Sequence, residues 1–442
     1  MPESTAMLTD RYELTMIDAA LRDGTAHRPC VFELFGRRLS AGRRFGVVAG
    51  TGRLLSLIRD FRFGDDELRF LQDERIVDAE TLTWLENYRF TGSITGYREG
   101  ELYFPGSPVL TIEGTFAEAV ILETLALSIY NHDCAVASVA SRMTLAAGGR
   151  PCIEMGSRRT HEWAAAAAAR AAYIAGFATT SNLEAARRYG IPSAGTSAHS
   201  FTLLHDTEDA AFTAQVESLG RNTTLLVDTY DVTEAVERAV RIAGPELGAV
   251  RLDSGDLVAQ AHEVRAQLDS LGATSTRIVV TSDLDEYAIA ALAAAPVDTY
   301  GVGTSLVTGS GAPTAGLVYK LVARADDEGT LVNVAKASKD KATVGGRKFA
   351  RRKLDDNGVA RAELVGVGEV PGGDQDLELL VELVRDGEIV GAEPVDAARE
   401  RHARRLARLP SKSHRLSKGE PVIPTVIVDE HPDPTLHLGG AR

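Results

Sequence analysis

An arginine and an aspartate stand two residues apart in VRLDSGDL (250–257). On a strand, that spacing points both side chains the same way. At a strand end, Arg251 could grip a carboxylate and Asp253 could accept hydrogen bonds from sugar hydroxyls; an internal ion pair suits the same spacing. The turn YGVGTSLVTG (300–309) offers backbone N–H groups around Gly303 and Thr304 to a phosphate. It matches neither a P-loop nor a dinucleotide fingerprint, and a glycine turn of purely steric origin reads the same. SRRTHEW (157–163) sets Arg158 and Arg159 in a loop, suited to polyphosphate or simply solvated. In GTSAHSFTLLH (195–205), small residues around His199 leave its imidazole little cover, although loops also carry Gly and Ser for turn reasons. VAKASKDKATVGGRKFARRK (334–353) gathers Lys336, Lys339, Lys341, Arg347, Lys348, Arg351, Arg352 and Lys353 against one acid, Asp340. Phe349 is its one aromatic, too few for a platform that stacks single-stranded nucleic acid.

The elements that must position these residues alternate in type. CIEM (152–155), TTLLVD (223–228), AVRLD (249–253), RIVVTSD (277–283) and DTYGVGT (298–304) read as strands. Between them, 162–175, 182–190, 232–244, 256–272 and 284–296 read as helices, the first an alanine run. Such alternation means βαβ units and a parallel sheet, either a (β/α) barrel or a doubly wound open sheet. Each strand stops on a polar or glycine cluster: Glu154, Asp228, Asp253-Ser254-Gly255, Ser282-Asp283 and Gly301-Val302-Gly303-Thr304. Acids there can cap the next helix. Five in succession favour one shared site at the carboxyl ends of the strands. The flanks differ. Residues 1–135 carry Gly- and Pro-punctuated strand candidates such as 101–114, and 345–442 hold a strand candidate (381–390) and a basic helix (396–409). The expected division is an α+β sandwich from 1–135 and 345–442 around a barrel at 136–344.

Composition bounds the rest. The chain is 44% hydrophobic and 25% charged, ordinary for a soluble globular protein. No apolar run approaches the ~20 residues of a membrane span, and no basic segment precedes an apolar one at the start. Three scattered cysteines, Cys30, Cys134 and Cys152, make neither a disulfide framework nor a metal spacing and fit a reducing cytoplasm. A net charge of −14 argues against a nucleic-acid binder. His431 and His437, near the C-terminus, read as parts of a solvated tail rather than metal ligands.

Taken together, TDRYELTM (9–16), FELFGRRL (32–39), EMGSRRTHEWAA (154–165), FATTSNLEAARRYGIPSAGTSAHSF (177–201), VDTYD (227–231), VRLDSGDL, TSDLDEYAI (281–289) and YGVGTSL (300–306) resemble the nicotinate phosphoribosyltransferases, in the family's order, over about 8–353. The resemblance implies an irregular (β/α) barrel of the type II phosphoribosyltransferase kind joined to an α+β sandwich built from both chain ends. It implies transfer of ribose 5-phosphate from phosphoribosyl pyrophosphate to nicotinate, an entry to NAD salvage, with ATP hydrolysis coupled through a phosphohistidine. Residue by residue, His199 matches the phosphorylated histidine and Asp228 would hold its other ring nitrogen. Tyr12 would stack on the pyridine ring, Arg251 would pair with its carboxylate and Asp253 with the ribose hydroxyls. Ser282, Asp283, Gly303 and Thr304 would take the 5′-phosphate; Arg158 with Lys336, Lys341 and Lys348 would face pyrophosphate. Mg²⁺ would ride on the phosphates, no protein metal site is expected, and a cytoplasmic homodimer with its sites near the interface is implied.

Nicotinamide-using relatives carry an aspartate in the loop matching FATTSN, where this chain has Thr179, Thr180 and Ser181. That favours the acid base over the amide and puts Thr180 and Ser181 beside it. The chain departs from the family at Met155, where an aromatic is common, and at TVGGRK, where many relatives have Pro before Gly. Alternatives are a nicotinamide or quinolinate phosphoribosyltransferase. A Schiff-base aldolase would want a strand-end lysine, which none of these strands has. A non-catalytic binder would use the 334–353 run for RNA or an acidic partner.

Overall fold

A computed structural model of the chain describes residues 4–336 and 343–428. His431, His437, Lys339 and Lys341 therefore lie outside the described residues. The chain divides into two units: residues 1–134, 314–413 and 418–442, and residues 135–313 with 414–417.

The first unit is built from both chain ends, as expected, but its second segment starts at 314 rather than 345. The reason is pairing. The strand Leu317–Ala325 runs antiparallel along Pro29–Gly36 from Gly36↔Leu317 to Cys30↔Arg324, so it belongs to the sandwich. Pro29–Gly36 is buried on both faces and pairs on its other side with Leu110–Thr115. Phe32 stacks on Tyr319 with ring centroids 5.0 Å apart, across that central pairing. Ser93–Tyr97 and Leu380–Arg385 extend this seven-stranded sheet. The expected single strand at 381–390 is a hairpin, because Asp386 and Gly387 take φ of 47° and 82° and turn the chain back. A four-stranded sheet holds Lys348–Leu354 and Ala360–Val367. The basic helix is present as Val395–Leu406.

The second unit carries the alternating elements. Six parallel strands line up as Thr179–Thr180, Cys152–Glu154, Thr299–Val302, Arg277–Val280, Ala249–Leu252 and Thr224–Leu226. The last strand in sequence thus sits beside the first, the order of a barrel open at one seam, between Thr179–Thr180 and Thr224–Leu226. Leu225, Val250, Leu252, Ile278, Val280, Tyr300 and Val302 are fully buried, as parallel strands covered on both faces require. Helices Val232–Ala243, Leu257–Ser270 and Glu286–Ala291 follow their strands. Their N-caps are Asp231, Asp256 and Asp285, whose carboxylates accept from Glu234, Ala259 and Ala288 N–H. The acids at the strand ends proper, Asp228, Asp253 and Asp283, are therefore not spent on capping.

Candidate active site

At the carboxyl end of Ala249–Leu252, the Arg251 side chain is only 12% exposed and sits in a fan of acceptors. Its Nε donates to Thr281 Oγ1 at 2.9 Å. Nη1 donates to Thr196 Oγ1 at 3.3 Å and to the Ser197 carbonyl at 3.2 Å, and Nη2 reaches Asp253 Oδ1 at 3.3 Å. Thr281 also donates to Asp253 Oδ1. One buried hydroxyl thus aligns both the cation and the acid that the strand spacing pairs. Arg251 and Asp253 form the internal ion pair that their spacing allows, and both also line a cavity of about 220 Å³.

That cavity brings together most of the expected phosphate groups. Arg158, Ser282, Asp283, Gly303 and Thr304 line it with Arg159, Met155 and Thr281. It is mainly polar, with three guanidinium groups against the carboxylates of Asp253 and Asp283. Ser282 holds φ at 121°, a backbone conformation costing on the order of 1–3 kcal/mol that concentrates at functional turns. Gly156 and Gly301 have no room for a side chain. A Cβ on Gly156 would collide with Val307 and sit 3.3 Å from Gly303 O, and one on Gly301 would fall 2.8 Å from Met155 Sδ.

His199 opens the short helix His199–Leu204, with its ring 41% exposed. Its Nδ1 is bonded to Thr229 Oγ1 at 3.1 Å. Nε2 faces Asp228 Oδ1 and Asp253 Oδ2, both at 3.9 Å. The expected contact of Asp228 with a ring nitrogen is present as an ion pair at 3.9 Å, too long for a hydrogen bond, and the ring's hydrogen-bond partner is Thr229. Asp228 is 2% exposed and uses Oδ2 to accept from Asp253 N–H at 2.9 Å and Ser254 Oγ at 2.8 Å. Its Oδ1 has no hydrogen-bond partner among the described residues.

Other expected residues fare differently. Thr180 is 1% exposed; its hydroxyl spends its one hydrogen on Glu154 Oε2 and accepts from Asn182 N–H at 2.9 Å, so it has no donor left for a base. The neighbouring Ser181 is exposed and keeps that possibility. Glu154 is buried with no cation, and burial raises its pKa against the pull of Thr180 and Gly156 N–H. Tyr12 belongs to the first unit, on helix Arg11–Asp23, with the residue 45% exposed. Burial, and next the nearby Glu123 carboxylate, raise its pKa. Lys336 is exposed. Lys348 is not a phosphate ligand: it is 7% exposed, and its ammonium donates to Glu33 Oε2 at 2.6 Å. Strand Lys348–Leu354 turns residues 348, 350 and 352 inward, and Arg352 is likewise buried between Glu101 (2.5 Å) and Glu363 (2.6 Å). Arg347 pairs with Glu113 at 2.8 Å. Much of the basic run is therefore neutralised internally. Thr229 and Thr281 are the site groups that sequence reasoning gave no role; their one signal was adjacency to the strand-end acids and turns.

The chain is similar to known proteins in sequence and in fold. Residues 7–131 match the model of the nicotinate phosphoribosyltransferase N-terminal domain, and residues 151–348 that of the nicotinate phosphoribosyltransferase family. Nicotinate phosphoribosyltransferase pncB1 of Mycobacterium tuberculosis is 57% identical, over 96% of this chain and 95% of its own. The Bacillus subtilis enzyme is 37% identical, over 80% of this chain and 74% of its own. The crystal structure of human nicotinic acid phosphoribosyltransferase superposes with a TM-score of 0.82 at 26% identity, covering 95% of this chain and 97% of that one. The open-seamed parallel barrel, the sandwich from both chain ends and this similarity identify the fold as the type II phosphoribosyltransferase kind, and the chain belongs to the nicotinate phosphoribosyltransferase family.

Proposed function

We propose that the chain transfers ribose 5-phosphate from phosphoribosyl pyrophosphate to the ring nitrogen of nicotinate, releasing pyrophosphate in NAD salvage, with ATP hydrolysis coupled through phosphorylation of His199. The observation that carries this reading is the meeting of Arg251 and Asp253 with the Ser282-Asp283 and Gly303-Thr304 turns around one polar cavity. Arg251 would take the nicotinate carboxylate, exchanging its long bonds to Thr196 and Ser197 for a charge-assisted one. Asp253 would accept from the ribose hydroxyls. The turns would hold the 5′-phosphate, and Arg158 and Arg159 would stabilise the departing pyrophosphate. The nicotinate nitrogen forms its bond to the anomeric carbon as the carbon–oxygen bond to pyrophosphate breaks; the chain contributes alignment and charge.

Mg²⁺ would enter on the phosphates, supplying charge neutralisation. Among the described residues no group of three or more His, Cys, Asp or Glu could cage an ion, but Asp253 and Asp283 stand where they could meet its water shell. The absence of an acid at Ser181 supports nicotinate over nicotinamide. We further propose a cytoplasmic homodimer: the cysteines are free and buried, and Leu203, Leu204 and Tyr230, close in sequence to His199 and Asp228, expose apolar surface that a second copy could cover. No helix among the described residues is long and apolar enough to cross a membrane.

Pyrophosphate release and ATP hydrolysis, followed together with phosphoribosyl pyrophosphate, Mg²⁺ and nicotinate, test this. Nicotinate-dependent release of both is expected. ATP hydrolysis indifferent to nicotinate would remove the coupling, and no pyrophosphate would remove the transfer.

A further inference from the structure

Thr229 has no part in the roles assigned above, yet its hydroxyl is the only hydrogen-bond partner found for the His199 ring among the described residues. It sits between the end of strand Thr224–Leu226 and helix Val232–Ala243, whose cap Asp231 fixes the turn through Glu234 N–H at 2.9 Å. The other edge of the ring faces two carboxylate oxygens, Asp228 Oδ1 and Asp253 Oδ2, each 3.9 Å from Nε2. Asp228 Oδ1 is buried and has no hydrogen-bond partner among the described residues. Two carboxylates beside Nε2 favour a proton on that nitrogen, the tautomer in which Nε2 is not a nucleophile. A third carboxylate on Nδ1 would drive the ring to imidazolium. A hydroxyl differs, because it both donates and accepts.

We propose that Thr229 is the positioning residue of His199, holding Nδ1 in either tautomer so that Nε2 can alternate between protonated and nucleophilic forms without the ring turning. At rest, Thr229 donates to bare Nδ1 while Nε2–H points at Asp228 and Asp253. For phosphorylation the proton moves through solvent to Nδ1, which then donates to Thr229 Oγ1. The Nε2 lone pair forms the bond to the γ-phosphorus of ATP as the bond to the β,γ-bridging oxygen breaks. ADP departs with that electron pair, and the Nδ1 proton stays on the ring. This rests on the phosphohistidine reading above.

The test compares wild type, Thr229→Val, Thr229→Ser and His199→Ala. It measures acid-labile phosphate left on the protein by γ-labelled ATP, nicotinate-dependent ATP hydrolysis, and mononucleotide synthesis without ATP. Valine keeps the shape and removes the hydroxyl. Its phosphoenzyme yield and ATP hydrolysis should fall together by roughly 10- to 100-fold, the drop in ATP-free synthesis being smaller. Serine should restore both to within about threefold of wild type. Valine with wild-type phosphoenzyme, where His199→Ala has none, overturns the role of Thr229 and leaves the phosphohistidine standing. Equal losses with and without ATP, unrelieved by serine, reduce Thr229 to a structural residue and overturn the proposal. Wild type without acid-labile phosphate overturns the proposal and the phosphohistidine together.

Discussion

Arg251 is held by bonds that a ligand can replace: three of its four contacts are 3.2–3.3 Å, and the tight one, from Nε to Thr281, engages neither terminal nitrogen. Arg251→Ala should therefore weaken nicotinate binding by about 2–5 kcal/mol, read as a raised KM or a direct titration. Unaltered affinity would make Arg251 structural. Thr281 orients the same group from behind. Thr281→Val leaves Arg251 Nε without its partner and Asp253 Oδ1 with only the long bond from Arg251 Nη2, so KM for nicotinate and for phosphoribosyl pyrophosphate should rise together by about tenfold, with serine rescuing both. A rise for one substrate alone would contradict a shared role. His199→Ala should lose nicotinate-dependent ATP hydrolysis while keeping part of its synthesis; intact hydrolysis would remove His199 from its place.

At the scale of elements, what a strand buries decides what its charges can do. Lys348→Met should cost roughly 3–5 kcal/mol of stability by stranding the Glu33 carboxylate, measured as a lower urea midpoint. Unchanged stability with weakened phosphoribosyl pyrophosphate binding would return Lys348 to the pyrophosphate role. Glu13 ties helix Arg11–Asp23 to the start of helix Glu123–Ala147 by accepting from Thr124 N–H at 2.9 Å. Burial pushes its carboxyl up to about 7, against the opposing bonds from Thr124 and Thr9. The folded state thus binds this proton more tightly than the unfolded chain. The stability so gained is full below about pH 4.5 and is lost as pH rises through 7, a swing of roughly 3 kcal/mol that Glu13→Gln should abolish in pH-dependent unfolding. The parallel strands and their helices were legible because each is a short apolar run ending in a polar cluster. The Lys348–Leu354 strand was not, because its basic residues have distant partners, Glu33 and Glu101, that no local pattern reveals. Thr229 and Thr281 escaped for a related reason: a single hydroxyl has meaning only once Thr224–Leu226 and Arg277–Val280 set it beside a particular ring or guanidinium.

Over the whole molecule, a chain of net charge −14 places Arg158, Arg159 and Arg251 in one cavity of its barrel unit, a local cationic exception that would draw the anionic substrates proposed above. The boundary of the other unit at 314 follows from Leu317–Ala325 lying along Pro29–Gly36, a long-range pairing invisible to local periodicity. The barrel and its polar strand ends could be read along the chain; which segments close the sandwich could not. The most direct measurement of the central claim offers nicotinate, nicotinamide and quinolinate separately with phosphoribosyl pyrophosphate and Mg²⁺, with and without ATP, and identifies the mononucleotide formed. Nicotinate mononucleotide, stimulated by ATP, is the predicted result. Product from nicotinamide or quinolinate in preference to nicotinate would contradict it.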